Sequence, residues 1–494
     1  MKTSNSIFFI LAFSAGIFLS GCKNELLELA PQSHLSVESY YKTAEQIEFA
    51  VNGAYSTLQT SNMYQNRYVL SEIPSDNTTN NLSGSVTDQD EFDKFYIRTT
   101  NPFTANFWNE SYKGINKCNM VLAKIDGVTM DASRKDQLTK EVKFLRGLMY
   151  FNLVRIFGGV PLVTSTIQIT DAYVIARSSQ AETYTQIIKD LTDAETLPVS
   201  YTGTDVGRAT RGSVKALLGT VYMTMKDYSK GEAKLAEVIL SGQYSLLENT
   251  PGSLNITGYE KIFDPTNHNH KESVFEIQFK KGGYGEGSSF ANNFAPENSG
   301  TSVVSVGGTS GNNIPTEDMS NAYETGDLRK DFSMASSYID NKTGKIVFIR
   351  HIKKYRDTPY QSGDTNNDFL VIRYADVLLM YAEALNENGK TTEACSYLNK
   401  VRRRGFGYQS TETSPIDIST ADKVVFREKV LQERRVELAF EGHRWFDLIR
   451  TGRAVELMKS KGFKINDTQL ICPIPQKQVD INPGVIEQNP YRID

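Results

Sequence analysis

Apolar residues recur at helical spacing in three long parts of the chain, and the first of these is the clearest. After a capping signal that begins at Ser133, apolar residues follow at alternating intervals of four and three. They are Leu138, Val142, Leu145, Met149 and Ile156, with the polar Asn152 at the position between the last two. The run Gly-Gly-Val-Pro at 158–161 cannot continue a helix. This pattern therefore predicts a long amphipathic helix that ends before Gly158.

The other two parts are pairs of helices. In the first pair, an apolar stripe over 214–225 is followed by a capping box that opens a second helix over 229–242. In the second pair, a helix through 375–385 breaks at Gly389 and restarts over 391–403. Each pair predicts a helix–turn–helix unit.

The two pairs resemble each other in sequence. The Leu-Leu pairs that begin at Leu217 and Leu378 are as far apart as the Glu-Ala pairs that begin at Glu232 and Glu393. A constant offset indicates an internal repeat, and repeated helix pairs predict a tetratricopeptide-like stack. Unrelated helical hairpins also fit this pattern. The two copies are too far apart in sequence for an uninterrupted array.

The segment between the two pairs has a different composition. Residues 243–368 contain glycine clusters, many Asn and Ser residues, and short β-like runs at 273–279 and 345–355. A second loop-rich stretch covers 61–106. Loops on a rigid scaffold often hold binding residues. The predicted fold class is therefore mostly all-α, with tetratricopeptide-like helical pairs, an irregular loop-rich ligand-binding face and a few short strands.

One stretch near the C-terminus, Glu433 to Arg450, is dense in charge and aromatic residues. Glu441, Arg444, Asp447 and Arg450 follow one another at intervals of three, so opposite charges can meet along one helix ridge. Apolar residues between them require a packing partner. We interpret the stretch as a structural helix.

The N-terminus has the pattern of an exported lipoprotein. Lys2 precedes an apolar run over 7–19, which is short of the roughly 20 residues that a membrane-spanning helix needs. The order Leu19-Ser20-Gly21-Cys22 then resembles a bacterial lipobox. We expect residues 1–21 to be a signal peptide, and residues 22–36 to be a tether with its lipid on Cys22. An ordinary signal peptide that contains a cysteine is the alternative.

Composition argues against several classes of function. The net charge of −4 gives no basic surface for a nucleic-acid partner. Of the four cysteines, three remain after Cys22, and their odd number and spacing indicate neither a disulfide framework nor a zinc site. The 25 tyrosines suit a wet ligand-binding surface, although core packing also explains many of them.

Catalytic and metal-binding patterns are weak. Acidic residues are plentiful, but none stands in a recognisable catalytic context, so we expect no enzyme activity. His268 and His270 flank Asn269 and could bind a metal, but a His-x-His in a polar loop is more often solvated.

A partial calcium-loop pattern begins at Asp364. Asp364, Asn366 and Asp368 match positions 1, 3 and 5, but Phe369 and Ala375 stand where such a loop requires Gly and Glu. We therefore predict no metal and no cofactor, and we interpret this segment as the turn into the next helix.

Several blocks together resemble one known family, the SusD-like (RagB/SusD) outer-membrane nutrient-binding lipoproteins. The blocks cover essentially the whole mature chain and stand in the family's order. They are FWNESYKGINKCNMVL (107–122), EVKFLRGLMYFNLVRIFGGVPLV (141–163), DFLVIRYADVLLMYAEALNE (368–387), ERRVELAFEGHRWFDLIRTGR (433–453) and LICPIP (470–475).

The resemblance implies a single mostly helical domain over 37–494, with loop-rich insertions at 61–106 and 243–368. It implies a surface-exposed lipoprotein of the cell outer membrane, anchored through its N-terminal lipid, with a SusC-type TonB-dependent transporter as partner. It also implies non-covalent binding of an oligosaccharide that is passed to that transporter. Capture of peptides by the same architecture, or a helical-repeat adaptor that binds only proteins, are the alternatives.

Ligand-binding residues cannot be transferred from the family blocks, because those blocks are scaffold. A carbohydrate site needs exposed rings for stacking together with amide or carboxylate groups for hydroxyls. In the first loop the candidates are Tyr64, Asn80, Asn81, Asp88, Phe92 and Tyr96. In the second loop they are Tyr259, Tyr284, Phe290, Asn293 and Tyr323.

Overall fold

The computed structural model describes residues 40–80 and 87–491. The predicted signal peptide, the predicted lipid-attachment residue Cys22 and the predicted tether lie outside the described residues, and so does Asn81. Within the described ranges, no helix combines the length and the apolar character that a membrane span requires.

Helices dominate the structure, so the predicted fold class is confirmed. In chain order the α-helices of the described residues are α1 (Ala44–Gln59), α2 (Arg67–Ser71), α3 (Thr87–Asp93), α4 (Pro102–Lys124), α5 (Ala132–Phe157), α6 (Ile169–Ala172), α7 (Gln180–Ala194), α8 (Arg211–Thr224), α9 (Tyr228–Leu240), α10 (Thr257–Ile262), α11 (Phe290–Phe294), α12 (Glu317–Ala322), α13 (Arg329–Ser333), α14 (Tyr374–Glu387), α15 (Thr391–Gly405), α16 (Lys423–Glu437), α17 (Arg444–Arg450), α18 (Ala454–Ser460) and α19 (Gln476–Ile481). A π-helix covers Ser61–Gln65, and 3₁₀ turns cover Ile125–Gly127, Gly203–Asp205, Gly300–Ser302 and Asp467–Gln469.

The strands are short and pair only in twos within the described part of the chain. They are β1 (Thr78–Thr79), β2 (Ser273–Ile277), β3 (Ile314–Pro315), β4 (Met334–Ala335), β5 (Tyr338–Ile339), β6 (Ile346–Val347), β7 (His351–Ile352) and β8 (Phe369–Arg373). The antiparallel pairs are β1 with β3, β2 with β8, β4 with β7, and β5 with β6.

Capping residues determine the helix ends, and two helices, α5 and α9, begin slightly before their predicted starts. Helix α5 begins after Asp131, whose carboxylate accepts the Arg134 N–H at 2.8 Å, and it ends at Gly158 with φ of +73°. Helix α9 begins after Asp227, which caps it in place of the predicted box at Ser229. Both helices therefore start a little earlier than predicted.

The long helices form one continuous stack. Contacts run in order through α4, α5, α7, α8, α9, α14 and α15, and α16 packs against both α14 and α15. The two predicted pairs, α8 with α9 and α14 with α15, meet directly where α9 packs on α14. The 243–368 insertion thus leaves the stack after α9 and returns to it at α14. The resulting hydrophobic core extends from α1 to α16.

The first loop-rich stretch is more ordered and more buried than its composition indicates. Part of 61–106 forms the π-helix, α2 and α3, and residues 67–78 are buried. Gln65 in the π-helix accepts the Ser289 N–H at 3.1 Å, and β1 pairs with β3. The structure therefore brings the two loop-rich stretches together on one side of the stack.

The prediction of one helix from Glu433 to Arg450 is wrong. Helix α16 ends at Glu437, Phe440 and Gly442 adopt φ of +68° and +80°, and α17 starts afresh at Arg444. Arg444 consequently pairs with Asp76 at 2.8 Å and not with Glu441. Farther along, Asp447 and Arg450 do form the predicted ion pair, at 2.8 Å.

Buried ion pairs hold the insertion to the stack. Glu437, at the end of α16, accepts hydrogen bonds from Arg329 at 2.7 Å and Arg373 at 2.6 Å, and it also pairs with Arg404. Arg329 belongs to α13, Arg373 to β8 and Arg404 to α15. Burial alone raises the pKa of Glu437, but the three arginines outweigh it and hold the pKa well below its usual range.

Candidate functional site

A ladder of side-chain acceptors extends the β2–β8 pair outward into the loops. Asp364, Asn366 and Asp368 stand two residues apart, so an extended chain points them to the same side. Their side chains accept backbone N–H groups of the facing segment 279–283. The distances are 2.6 Å from Phe279 to Asp368, 2.8 Å from Lys281 to Asn366, and 2.7 Å from Gly283 to Asp364.

This ladder replaces the predicted turn into a helix. The three residues lead into strand β8, and their side chains hold the segment before Tyr284 in a fixed position. Gly287 permits the close approach, because a Cβ there would lie 1.9 Å from the Asp364 carboxylate and 2.8 Å from its Cα. The loop that carries Tyr284 is therefore fixed by backbone hydrogen bonds and not only by its own side chains.

Two tyrosines stand out from this framework, and we call them the tyrosine surface. Tyr284 is 69% exposed and Tyr360 is 64% exposed. Their rings lie against two neighbouring glycines, Gly282 and Gly283. A Cβ atom added to Gly282 would touch the ring of Tyr284. A Cβ atom added to Gly283 would lie 3.1 Å from the ring of Tyr360. The Lys280 ammonium lies 5.4 Å from the centre of the Tyr284 ring. Exposed rings on a fixed loop offer flat, amphipathic faces to a ligand.

A polar cavity of about 640 Å³ adjoins this surface. Its lining comes from α11, the 302–304 turn, β4, β5, β7 and the segment 353–358. Asp357 links the two features, because it lines the cavity and accepts a hydrogen bond at 2.8 Å from Nζ of Lys281, which lies three residues before Tyr284. Cavities of this size are typical of small-molecule sites.

Five of the predicted ligand-binding residues are buried and therefore do not lie on this surface. They are Tyr64, Phe92, Tyr259, Phe290 and Tyr323, each of which is less than one-tenth exposed. Tyr259 is fully buried and donates its hydroxyl to the Glu437 carbonyl at 3.0 Å. The centre of the Phe290 ring lies 5.1 Å from that of Tyr355 and 5.8 Å from that of Phe294. These aromatic residues belong to the protein core, so they do not form a ligand surface.

The other predicted residues differ in position. Asn80 is buried, whereas Asp88 and Tyr96 are half-buried within their own segment. There Asp88 pairs with Arg98 at 2.9 Å, and the Tyr96 hydroxyl donates to Asp90 at 3.3 Å. Asn293 is half-buried, and its side-chain amide donates to Ser289 Oγ at 3.0 Å.

Of the predicted residues, Tyr284 lies on the tyrosine surface, and Tyr360, which shares that surface, is not among the predicted residues. Tyr360 stands in the run Tyr-Gln-Ser-Gly-Asp at 360–364, an aromatic residue in a polar, glycine-containing loop. In this respect it resembles Tyr284, which also stands among glycine residues in a loop. Only its position beside Gly283, however, reveals that the two rings share one surface.

A second cluster beneath the ladder could hold a metal cation. Ligand atoms of His268, Glu276 and Asp368 all lie within 4.8 Å of one another, and His268 Nδ1 is 2.6 Å from Asp368. The hydrogen bond to Asp368 raises the pKa of His268. Burial and the charge of Asp368 raise the pKa of Glu276 to about 7. His270 lies apart, with its Nε2 3.2 Å from the Ile262 carbonyl oxygen.

The fold and the tyrosine surface define a class of protein: a stack of paired helices that carries a loop-built surface with exposed aromatic rings. Two family models match the chain. One, described as the SusD family, matches residues 326–465, and the other, described as starch-binding associating with outer membrane, matches residues 25–223. The chain belongs to the SusD-like family.

Individual relatives and solved structures are similar to this chain over nearly its full length. SusD-like protein P38 of Formosa agariphila is 27% identical, covering 98% of this chain and 99% of its own. A laminarin-binding SusD-like protein of known structure has 26% identity and a TM-score of 0.75, covering 91% of this chain and 100% of its own. The structure of a SusD homolog from Bacteroides thetaiotaomicron has 25% identity and a TM-score of 0.78. The match covers 93% of this chain and 100% of the homolog.

Proposed function

We propose that this protein binds oligosaccharides non-covalently at the tyrosine surface and delivers them to a SusC-type TonB-dependent outer-membrane transporter. The observation that carries the proposal is the pair of exposed rings, Tyr284 and Tyr360, on a loop fixed by Asp364. The starch-binding description of one family model and the laminarin-binding neighbour support the same class of ligand.

The chemistry of the surface suits a sugar. A pyranose ring has an apolar C–H face that stacks on tyrosine and a rim of hydroxyls that needs hydrogen-bond partners. The adjoining cavity supplies such partners, including Tyr338, Arg356 and Thr358. We propose that stacking orients the ligand at Tyr284 and Tyr360 while the cavity accepts its polar groups. Binding of this kind requires no bond to be made or broken.

Calorimetry on the soluble mature domain tests this proposal. A panel of neutral oligosaccharides, including laminarihexaose and a starch-derived oligosaccharide, is compared with a peptide mixture. We expect saturable oligosaccharide binding that weakens about tenfold or more in Tyr284→Ala and in Tyr360→Ala, since loss of one stacking partner costs on the order of 1–2 kcal/mol. Phe49→Ala removes an exposed aromatic residue elsewhere, on α1, and serves as the matched control.

Two other outcomes would contradict the proposal. Tight peptide binding without any response to oligosaccharides would favour peptide capture by the same scaffold. Oligosaccharide binding that both tyrosine variants retain at full strength would place the site elsewhere on the molecule.

Membrane attachment and the transporter partnership are separate parts of the proposal. They rest on the lipobox pattern that ends at Cys22 and on the outer-membrane association in the family description. We expect Cys22→Ala to move the protein from the membrane fraction to the soluble fraction. We also expect the wild-type protein to co-purify with a TonB-dependent barrel after mild solubilisation. A Cys22→Ala protein that stays in the membrane would contradict lipid anchoring at this residue.

A further inference from the structure

A second groove lies away from the tyrosine surface, and we call it the amide groove. It has a volume of about 700 Å³ and is formed by α4, by the segment 161–175 and by α19 with the residues after it. The lining includes none of the residues that line the cavity beside the tyrosine surface. The two features are therefore separate.

Helix α4 supplies one wall with a stripe of polar residues. Asn106, Asn109, Lys113 and Asn116 follow at intervals of three, four and three, so they lie along one helix face, and all four are exposed. Asn62 and Gln478 add two further amides to the lining. Primary amides both donate and accept hydrogen bonds, which matches the dual character of a hydroxyl group.

Aromatic and aliphatic residues form the rest of the lining. Trp108 packs 5.1 Å from Tyr112, whose hydroxyl donates to the Pro161 carbonyl at 2.7 Å and fixes the ring. Tyr173, which is 50% exposed, and Ile481, which is 41% exposed, also line the groove. The exposed ring of Tyr173 thus offers a stacking face and the amides offer hydrogen bonds, while Trp108, only 3% exposed, is a buried part of the groove wall.

An unpartnered polar group points to a ligand. Asn482 is 7% exposed, and its side-chain carbonyl has no hydrogen-bond partner among the described residues, although it lines the groove. A buried acceptor without a partner is costly and calls for an explanation. A ligand hydroxyl in the groove would supply the missing donor.

The charges of the groove favour a neutral ligand. Its lining has three charged residues, and two of them, Lys113 and Glu110, pair at 3.1 Å. The third is Lys477. Such a lining offers no cluster of cations for phosphate or carboxylate groups and no cluster of carboxylates for a cationic ligand.

We propose that the amide groove is a second binding site for a neutral oligosaccharide, distinct from the tyrosine surface. It shares with the proposed function only the class of ligand. A long glycan held at both sites would gain avidity, because the second contact becomes intramolecular. A peptide would also find amides here, but the stacking faces and the low net charge favour a sugar.

The two tryptophans of the chain allow the groove to be observed directly. Both are buried, but Trp108 lies in the wall of the groove, whereas Trp445 lies in a separate small core against Phe95. Emission from Trp108 therefore reports occupancy of the groove, while calorimetry reports all binding. Both are recorded with laminarihexaose, with a starch-derived oligosaccharide and with a peptide mixture, on the complete mature domain.

We expect a saturable change in tryptophan emission that persists in the Tyr284→Ala/Tyr360→Ala double variant. We expect Tyr173→Ala to weaken that response by about tenfold or more, as removal of an interfacial stacking ring typically does. Asn109→Ala is a second variant in the groove, and Phe49→Ala is again the matched control. Tyr173, Asn109 and Phe49 are all exposed, so these substitutions leave the core intact.

The outcomes separate the two sites. If oligosaccharides bind but Tyr173→Ala and Asn109→Ala change neither the emission nor the isotherm, the groove proposal is overturned and the tyrosine surface stands. If binding is lost in the groove variants and unaffected in the double tyrosine variant, the groove is supported and the tyrosine surface is overturned. If emission responds only to peptides, or if no oligosaccharide binds at all, the groove proposal falls as well.

Discussion

Asp364 accepts the backbone N–H of Gly283 at 2.7 Å, and this contact ties the segment before β8 to the loop that carries Tyr284. The same carboxylate oxygen accepts the Gly282 N–H at 3.2 Å. Loss of both bonds should free the Tyr284 loop without removing any group that faces the ligand. The position of the two rings therefore depends on a residue that lies beneath them.

We expect Asp364→Ala to weaken oligosaccharide binding by several-fold while Asp364→Asn, which retains an acceptor oxygen, restores part of it. The physical reason is that an ordered loop loses less conformational entropy when it binds. Hydrogen exchange at the Gly282 and Gly283 amides provides the independent readout. Amides that remain equally protected in Asp364→Ala would show that the carboxylate does not hold the loop.

Gly287 provides a second test of the same framework. A Cβ at this position would meet the Asp364 carboxylate at 1.9 Å and backbone at 2.8 Å, so Gly287→Ala forces the two segments apart. We expect a loss of about 1–3 kcal/mol of stability, as for other overpacked sites. Gly308→Ala is the matched control, because a Cβ there has nothing within 4 Å. Equal unfolding midpoints for the two variants in urea would contradict this account.

The helical scaffold can be predicted from the sequence because the signals that define each helix lie within that helix or next to it. Helix α5 has its apolar stripe, its acidic cap and its terminal glycine within one continuous segment, so periodicity alone predicts it. The break at Phe440 was not predictable in this way. Its φ of +68° is imposed where the chain turns between α16 and α17 and does not follow from its residue type, whereas Gly442 in the same turn, with φ of +80°, is a residue type that commonly ends helices.

The candidate site is predicted less well because exposure is a tertiary property. Tyr259 and Tyr284 both stand in the glycine-rich insertion, and composition cannot distinguish them. Tyr259 is buried because its hydroxyl reaches the end of α16, far away in sequence. Tyr284 is exposed because the ladder holds its loop outward. The difference lies in contacts between segments that a single sequence does not reveal.

Glu72 predicts a pH dependence of stability. The carboxyl group is fully buried, and burial raises its pKa from 4.5 to about 8, against hydrogen bonding from Gly442 and the nearby charge of Lys354. The folded protein therefore keeps a proton that the unfolded chain releases above about pH 4.5. Its contribution to stability is complete below that pH and is lost as pH rises toward 8.

We expect Glu72→Gln to remove this pH dependence of the unfolding free energy. Between about pH 4.5 and pH 8 the dependence amounts to at most about 1.4 kcal/mol per pH unit. Urea unfolding at several pH values between 4 and 9 measures it. At pH 4 the two proteins should differ least, because the wild-type carboxyl is then neutral in both states. Parallel stability curves across the whole range would rule out a buried neutral Glu72.

Glu437 tests the buried ion pairs that join the insertion to the helical stack. Its carboxylate neutralises part of the charge of Arg329, Arg373 and Arg404, all fully buried. Glu437→Gln keeps the shape but leaves this charge uncompensated, so we expect a loss of about 3–5 kcal/mol in unfolding free energy. The exposed pair of Glu428 with Arg453 is the control, and Glu428→Gln should change stability by less than about 1 kcal/mol. Similar losses in the two variants would mean that the buried network contributes no more than a surface pair. A large loss confined to Glu437→Gln would show that this buried network, which joins α13 and β8 to α15 and α16, stabilises the fold far more than an exposed ion pair does.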